Sequence, residues 1–292
     1  MAWIKLSLAA QGDDTEALEE TLLALGAQAV TLADAGDEPL LEPAPGTTPL
    51  WSSTRVTGLF PGDTDTAEVM RALGERLGGA VPTHARVELL EDRDWVRAWM
   101  DHYHPMRFGR RLWICPSGHN PAPDAHSVVV RLDPGLAFGT GTHPSTALCL
   151  RWLDGLDLRS RSVIDYGCGS GVLAVAAARL GAARVTAVDI DPQAHAATRA
   201  NAERNRVRSR IRVGTPELAS GERADVLVAN ILAGPLIALA PHLQDLLVRG
   251  ARLALAGILD RQAEEVAQAY EYVEWERPEH LDGWVRLNAR RR

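Results

Sequence analysis

The sequence is poor in cysteine, in lysine and in aromatic residues. Its three cysteines, Cys115, Cys149 and Cys168, stand far apart and match no zinc spacing, so no metal and no disulfide scaffold are expected, and a reducing cytoplasm is. Lys5 is the only lysine among 31 basic residues, which coding bias explains without invoking function. No uncharged apolar run approaches the roughly 18 residues a membrane helix needs, so no span is expected. The start alternates apolar and polar residues and runs into Asp13-Asp14. That pattern predicts a strand and not a signal peptide. Bases are scarce early: residues 1–100 hold 17 acids against 7 bases, and the remainder 21 acids against 24 bases. An acidic first third repels phosphates and attracts a basic partner, so no direct nucleic-acid reader is expected. A merely solubilising surface is the alternative reading.

At 292 residues, with 46% apolar and 24% charged residues, the chain reads as a globular protein of two domains. Strand patterns at Trp3–Leu8, Ala29–Leu32, Leu50–Phe60 and His84–Leu90 alternate with helix patterns at Asp14–Leu25 and Thr64–Leu77. The second helix is capped by Asp63 or Thr64. This β-α-β-β-α-β order predicts a small α+β ferredoxin-like domain over residues 1–92, with one sheet face free for another protein. Residues 93–105 carry Trp95, Trp99 and Met100 at helical spacing and read as a linker helix. Residues 106–292 form the second domain. It closes with a helix over 235–248, a strand over 251–257, a helix over 260–270 and a pair of strands, with Trp275 and Trp284 in the core.

The second domain is organised around residues 162–191. An apolar run, Val163-Ile164, ends on Asp165 and breaks into Gly167-x-Gly169-x-Gly171; a helix pattern then runs from Val172 to Leu180, and a second run, Val185–Val188, ends on Asp189. Glycines let the backbone approach a ligand, the helix offers unpaired amides, and the second acid is placed to accept hydrogen bonds from both ribose hydroxyls. A dinucleotide fingerprint would want glycine where Val172 stands. Asp165 beside a pyrophosphate would repel it, yet it suits a ligand carrying a sulfonium and an ammonium. The pattern resembles motif I of the S-adenosylmethionine-dependent methyltransferases of the doubly wound α/β fold.

Upstream, residues 133–142 read Asp-Pro-Gly-Leu-Ala-Phe-Gly-Thr-Gly-Thr and lead into His143-Pro144-Ser145-Thr146. Three glycines and flexible threonines suit a loop that wraps a ligand, with Pro144 opening a helix capped by Thr142 or His143. Together with Asp165–Gly171, this stretch is similar to the bacterial ribosomal protein L11 methyltransferases, and the resemblance covers the whole chain. It implies a seven-strand Rossmann-like domain and S-adenosylmethionine as cofactor. It further implies a donor site of Thr146, Gly167, Asp189 and Asn230, and a first domain that recognises the substrate protein. Phe138 and Thr142 of the loop and Asp165 and Gly169 of the turn join the candidate cofactor-binding residues.

Asn230, at the end of the apolar run Ala224–Ala229, is the candidate catalytic residue, similar to the asparagine of Asn-Pro-Pro-Tyr in amino-methylating enzymes but without the prolines and aromatic ring. The expected reaction is transfer of methyl groups to lysine side chains or the N-terminal amine of ribosomal protein L11, by a monomer, in the cytoplasm. His143 is a weak candidate for a general base. A different protein or nucleic-acid substrate, a nicotinamide-dependent oxidoreductase and a non-catalytic scaffold remain open at this point.

Overall fold

The structure is a computed structural model and describes residues 2–10, 14–36, 50–77, 85–90, 104–119, 126–133 and 143–292. The chain divides into two compact units, Met1–Trp95 and Val96–Arg292. The linker helix expected over 93–105 lies, but for its last two residues, outside the described residues.

In the first unit β1 (Trp3–Ala10), α1 (Asp14–Ala24), β2 (Ala29–Asp34), β3 (Thr54–Pro61), α2 (Thr66–Arg76) and β4 (Arg86–Leu90) follow one another. The strands form one antiparallel sheet in the order β2-β3-β1-β4. Alternation decides which face is covered: Ile4, Leu6 and Leu8 of β1 and Val56 and Phe60 of β3 are buried with Leu18 and Leu22 of α1 and Val69 and Leu73 of α2. The intervening positions mix polar and apolar residues, Ser7 bonding Thr57 across the strands at 3.0 Å. β3 begins at Thr54 and not at Leu50, because the Thr54 hydroxyl donates to the Trp51 carbonyl and holds a turn there. The cap of α2 is Asp65, whose carboxylate accepts from the Ala67 and Glu68 amides; Asp63 and Thr64 stand too early to reach them.

The second unit opens with a small sheet of β5 (Met106–Phe108), β6 (Leu112–Cys115) and β7 (Val128–Arg131). The main sheet comprises β8 (Ser162–Tyr166), β9 (Arg184–Val188), β10 (Ile211–Gly214), β11 (Ala224–Asn230), β12 (Leu247–Leu259), β13 (Val273–Trp275), β14 (Glu279–Leu281) and β15 (Trp284–Arg291). Its order is β10-β9-β8-β11-β12-β15-β13, with β14 paired to β15. The first five strands of that path are parallel, and β15 runs against both β12 and β13. This is the doubly wound sheet expected, with β14 added as an eighth strand. Asp282 at φ 49° and Gly283 at φ 77° make the two-residue turn that returns β14 onto β15.

Apolar runs in the central strands supply both faces of this sheet. Val163, Val185, Val226 and Val228 bury toward α3 (Pro144–Asp154) and α4 (Val172–Arg179), while Ile164, Leu227, Ala229 and Leu253 bury toward α6 (Ala233–Ala238), α7 (Ala240–Asp245) and α8 (Ala263–Gln268). α5 (Pro192–Arg204) packs beside α4 through Thr198. The single helix expected over 235–248 is two short helices meeting at Leu239, because Pro241 has no N–H to give Ile237. Trp275 and Trp284 are half-buried rather than core: each packs one edge, on Tyr270 and on His143 respectively.

Candidate active site

Sheet register brings the candidate residues to one level. Tyr166 pairs with Val188 on one side and Ala229 on the other. Gly167, Asp189 and Asn230, the next residue of each strand, therefore leave the carboxyl ends of three adjacent strands side by side, where open α/β sheets bind ligands.

The glycine turn follows. Gly167, Gly169 and Gly171 all hold positive φ, at 80°, 50° and 76°. The Gly167 and Cys168 amides donate to the Val188 carbonyl at 2.8 and 3.0 Å, which lays the turn across the end of β9. A side chain at 167 would strike the Ile231 methyl at 2.2 Å, and one at 171 would strike Thr198 at 2.6 Å. Thr198 and Asn201 of α5 complete the cradle, donating to the carbonyls of Gly169 at 3.0 Å and Ser170 at 2.8 Å. Both escaped the sequence reading, since nothing local marks a contact made 29 or 31 residues away.

Asp189 accepts the Gly169 amide on Oδ2 at 2.8 Å and the Asp191 amide on Oδ1 at 3.0 Å. Its carboxylate is thus fixed in orientation, with further lone pairs on each oxygen for a diol. The His195 Nε2–H donates to the Asp189 carbonyl at 2.8 Å and anchors the same corner. Asp191, directly before Pro192, caps α5 by accepting the Gln193 amide. Ile190 between them is 85% exposed, an unpartnered apolar side chain at the ligand-facing end of the strand.

Asp165 is wholly buried. Its Oδ2 accepts the Ala174 amide at 2.9 Å in the first turn of α4, and its Oδ1 has no hydrogen-bond partner. Burial pushes its pKa up to about 7; the Ala174 bond opposes this and the nearby Asp189 charge adds to it.

Thr146 and Asn230 meet. Pro144 at the start of α3 and His143 as its cap set Thr146 in the first turn, and Asn230 Nδ2 donates to the Thr146 hydroxyl at 3.2 Å. Asn230 Oδ1 is shielded from solvent and accepts no hydrogen bond. His143 Nδ1 accepts the Ser145 amide at 3.3 Å, which commits that lone pair to the cap, and burial lowers its pKa. It is the cap of α3, not a poised base. Arg286, which the sequence reading did not single out, is buried on β15 and donates to Asn288 at 2.7 Å and to the Leu148 carbonyl, tying α3 to the sheet.

Phe138 and Thr142 lie outside the described residues, as does the loop after Asp133. Cys149 and Cys168 are buried, and desolvation pushes both thiols up to about 12, so neither offers a thiolate. Among the described residues no group of three or more His, Cys, Asp or Glu side chains is placed to hold a metal, and no helix is long and apolar enough to cross a membrane.

Known proteins resemble the chain over its full length. A profile of the family described as ribosomal protein L11 methyltransferase matches residues 2–292. A ribosomal protein L11 methyltransferase of Azotobacter vinelandii is 53% identical over 100% of both chains. One of Pseudomonas aeruginosa is 52% identical over 100% of this chain and 99% of its own. A crystal structure of ribosomal protein L11 methylase from Lactobacillus delbrueckii subsp. bulgaricus aligns with TM-score 0.60 and 33% identity, covering 65% of this chain and 100% of its own.

Proposed function

The chain belongs to the ribosomal protein L11 methyltransferase family, and from that premise we propose that the groups it methylates are amines, on lysine side chains or the N-terminus of that substrate. Methylation of ribosomal protein L11 from S-adenosylmethionine follows from membership. The observation that carries it is Asn230: a side-chain oxygen shielded from water, without a donor, locked through its own amide to Thr146. Such an oxygen asks for an N–H.

The donor fits the residues present. Asp189 would take the ribose hydroxyls, Gly167 and Gly169 would let the backbone approach, and Ile190 would give an apolar face to the base. Asp165, with its unpartnered oxygen, would face the positive end, and Thr146 would meet the donor from α3. Phe138 and Thr142 complete the proposed set of donor-binding residues. When bound, S-adenosylmethionine supplies a methyl group already activated on a sulfonium. What remains for the protein is positioning. Asn230 Oδ1 accepts an amine N–H and turns the nitrogen lone pair toward the methyl. A lysine has a reference pKa of about 10.4 and must lose its proton first; a desolvated site next to positive charge favours the neutral amine. No described side chain is placed as a dedicated base, so that proton leaves to solvent before the amine seats.

The acidic first unit, read as a recognition domain over 1–92 joined through residues 93–105 to a catalytic domain over 106–292, complements a basic protein. A cytoplasmic monomer acting on the substrate free or on the ribosome completes the proposal. The test is label transfer from methyl-labelled S-adenosylmethionine to separated large-subunit ribosomal proteins, followed by peptide mass spectrometry. Label on amines of the L11 band is expected; label on glutamine or carboxyl groups would sink the amine reading.

Asp165 gives a pH prediction. Its folded pKa, about 7, lies above the ordinary carboxylate value, so the native state holds a proton that the unfolded chain has released. Through this group, stability of the donor-free protein falls as pH rises from about 4 to about 7. Asp165→Asn keeps an acceptor for the Ala174 amide and removes the charge. Melting curves against pH should lose that slope in the variant, and the stabilisation by S-adenosylmethionine should grow with pH in the wild type and stay flat in the variant. Parallel curves for the two proteins would refute a buried carboxylate that faces the donor.

A further inference from the structure

The main sheet of the second unit carries acids at the carboxyl ends of its strands, around the site, and arginines at the opposite end. Register aligns these arginines. Ile211 pairs with Val185, Arg184 with Ser162, Val163 with Val226, Val226 with Arg252, and Arg252 with Arg290. Arg184, Arg252 and Arg290 on their strands, and Arg210 and Arg161 directly before β10 and β8, thus stand along one edge, with Asp225 on the strand between. At about 4.8 Å between strands, the row is about 25 Å long. A groove of about 270 Å³ runs under part of it, lined by Arg161, Arg249, Arg252 and Arg290.

The charge here is positive in surplus. Three arginines of the row are ion-paired, Arg161 with Asp225 and both Arg252 and Arg290 with Glu276, while Arg159 holds Asp157 and Arg212 holds Glu222; Glu274 lies opposite Arg290 in the register. Glu203, Asp245 and Glu271 also lie toward this end. Against them, Arg179, Arg184, Arg206, Arg249 and Arg292 are solvent-exposed with no side-chain hydrogen bond or ion pair among the described residues. Among the described residues Arg208 and Arg210 donate to the backbone carbonyls of Ile211 and Ala178 and to no carboxylate, which aims them without neutralising them. An aromatic surface stands at the same end: Tyr272 is 58% exposed, Arg291 lies 5.0 Å over its ring, and the Arg292 amide bonds its carbonyl.

We propose that this arginine edge docks the phosphate backbone of RNA, on the side of the catalytic unit remote from the donor turn. Guanidinium groups match phosphate oxygens bidentately, and a row repeated across strands suits a polymer of regularly spaced anions. Tyr272 adds a platform on which a base can stack, which neither a lipid headgroup nor an acidic peptide would use. The contact positions without reading sequence, so it is compatible with an acidic first unit that reads no nucleic acid. It stands apart from the amine reading of the active site. For an enzyme whose substrate is a ribosomal protein, it would hold the catalytic unit beside the RNA that surrounds that substrate.

The experiment is fluorescence anisotropy with a labelled RNA of about 20 nucleotides at stepped salt, using the full chain and the variant R184E/R249E/R292E, whose replaced side chains make no hydrogen bond or ion pair among the described residues. Wild type should bind in the micromolar range near physiological salt, and log affinity should fall linearly with log salt. The variant should bind at least tenfold more weakly, with a salt slope shallower by about 2 to 3, while methylating free L11 protein at the wild-type rate. Single changes Arg184→Ala and Arg249→Ala should give graded losses should the triple variant melt early. Wild type silent toward RNA at low salt, a folded triple variant that binds RNA as wild type does, or equal competition by polyglutamate or phosphatidylserine vesicles would each overturn the proposal.

Discussion

Asn230→Ala is expected to lower kcat about 100-fold while changing the dissociation constant of S-adenosylmethionine no more than about threefold, the signature of a group that positions the acceptor. The side chain sits at the end of β11, spends its amide on Thr146 at 3.2 Å and keeps Oδ1 shielded and unpartnered. Alanine removes the one oxygen aimed at the incoming nitrogen and leaves the glycine turn and Asp189 intact. Asn230→Asp is the informative companion. It restores an acceptor of the same shape but brings a third carboxylate next to Asp165 and Asp189, so it is not expected to rescue turnover. Thr146→Val should lower kcat less than Asn230→Ala, because it unlocks the asparagine without deleting it. Single-turnover rates and calorimetric donor binding read the two quantities apart. Equal loss of both in Asn230→Ala would remove its assigned role and make it a donor ligand alone.

What the sequence revealed and what it hid divide along contact range. The run Val163-Ile164-Asp165, the glycine turn and the Asp191-Pro192 helix start are legible because each is made by neighbours in the chain. The Asp282-Gly283 pair is an equally local turn signal. β14 was still missed, since a strand of three residues leaves no period to detect. The break at Leu239 was available in Pro241, yet the apolar pattern around it reads as one helix. Longer contacts left no trace: Thr198 and Asn201 bracing the turn, Arg286 reaching Leu148, and the Thr146–Asn230 bond over 84 residues. The arginine edge is the extreme case. Its residues are scattered from 161 to 290 and become a row only once strand order and register are known.

The same limit hides Gly257, for which the second large effect is expected. It lies where the pairing of β12 with β15 shifts register between Leu255 and Ile258, at φ 82°. In sequence it is one glycine in an apolar strand, and a bulge is the ordinary reading. In space a Cβ there would stand 2.4 Å from the Ile231 carbonyl oxygen and 3.1 Å from its nitrogen. Ile231 follows Asn230 directly, and its methyl closes over Gly167. Gly257→Ala therefore forces the backbone that carries the acceptor-positioning amide and the lid of the donor turn to move together. We expect kcat to fall at least about tenfold, since displacements near 1 Å at such a site cost that much or more. Gly250→Ala is the matched control. Gly250 also holds positive φ, at 79°, on the same strand, but a Cβ there meets nothing within 4 Å. Both variants carry the left-handed backbone penalty of about 1–2 kcal/mol, so both should melt earlier. Only Gly257→Ala should lose turnover beyond what its lower stability explains. Activity falling alike in the two, measured at a temperature where both are folded, would mean that the bulge serves stability and that the position of Ile231 does not govern the chemistry.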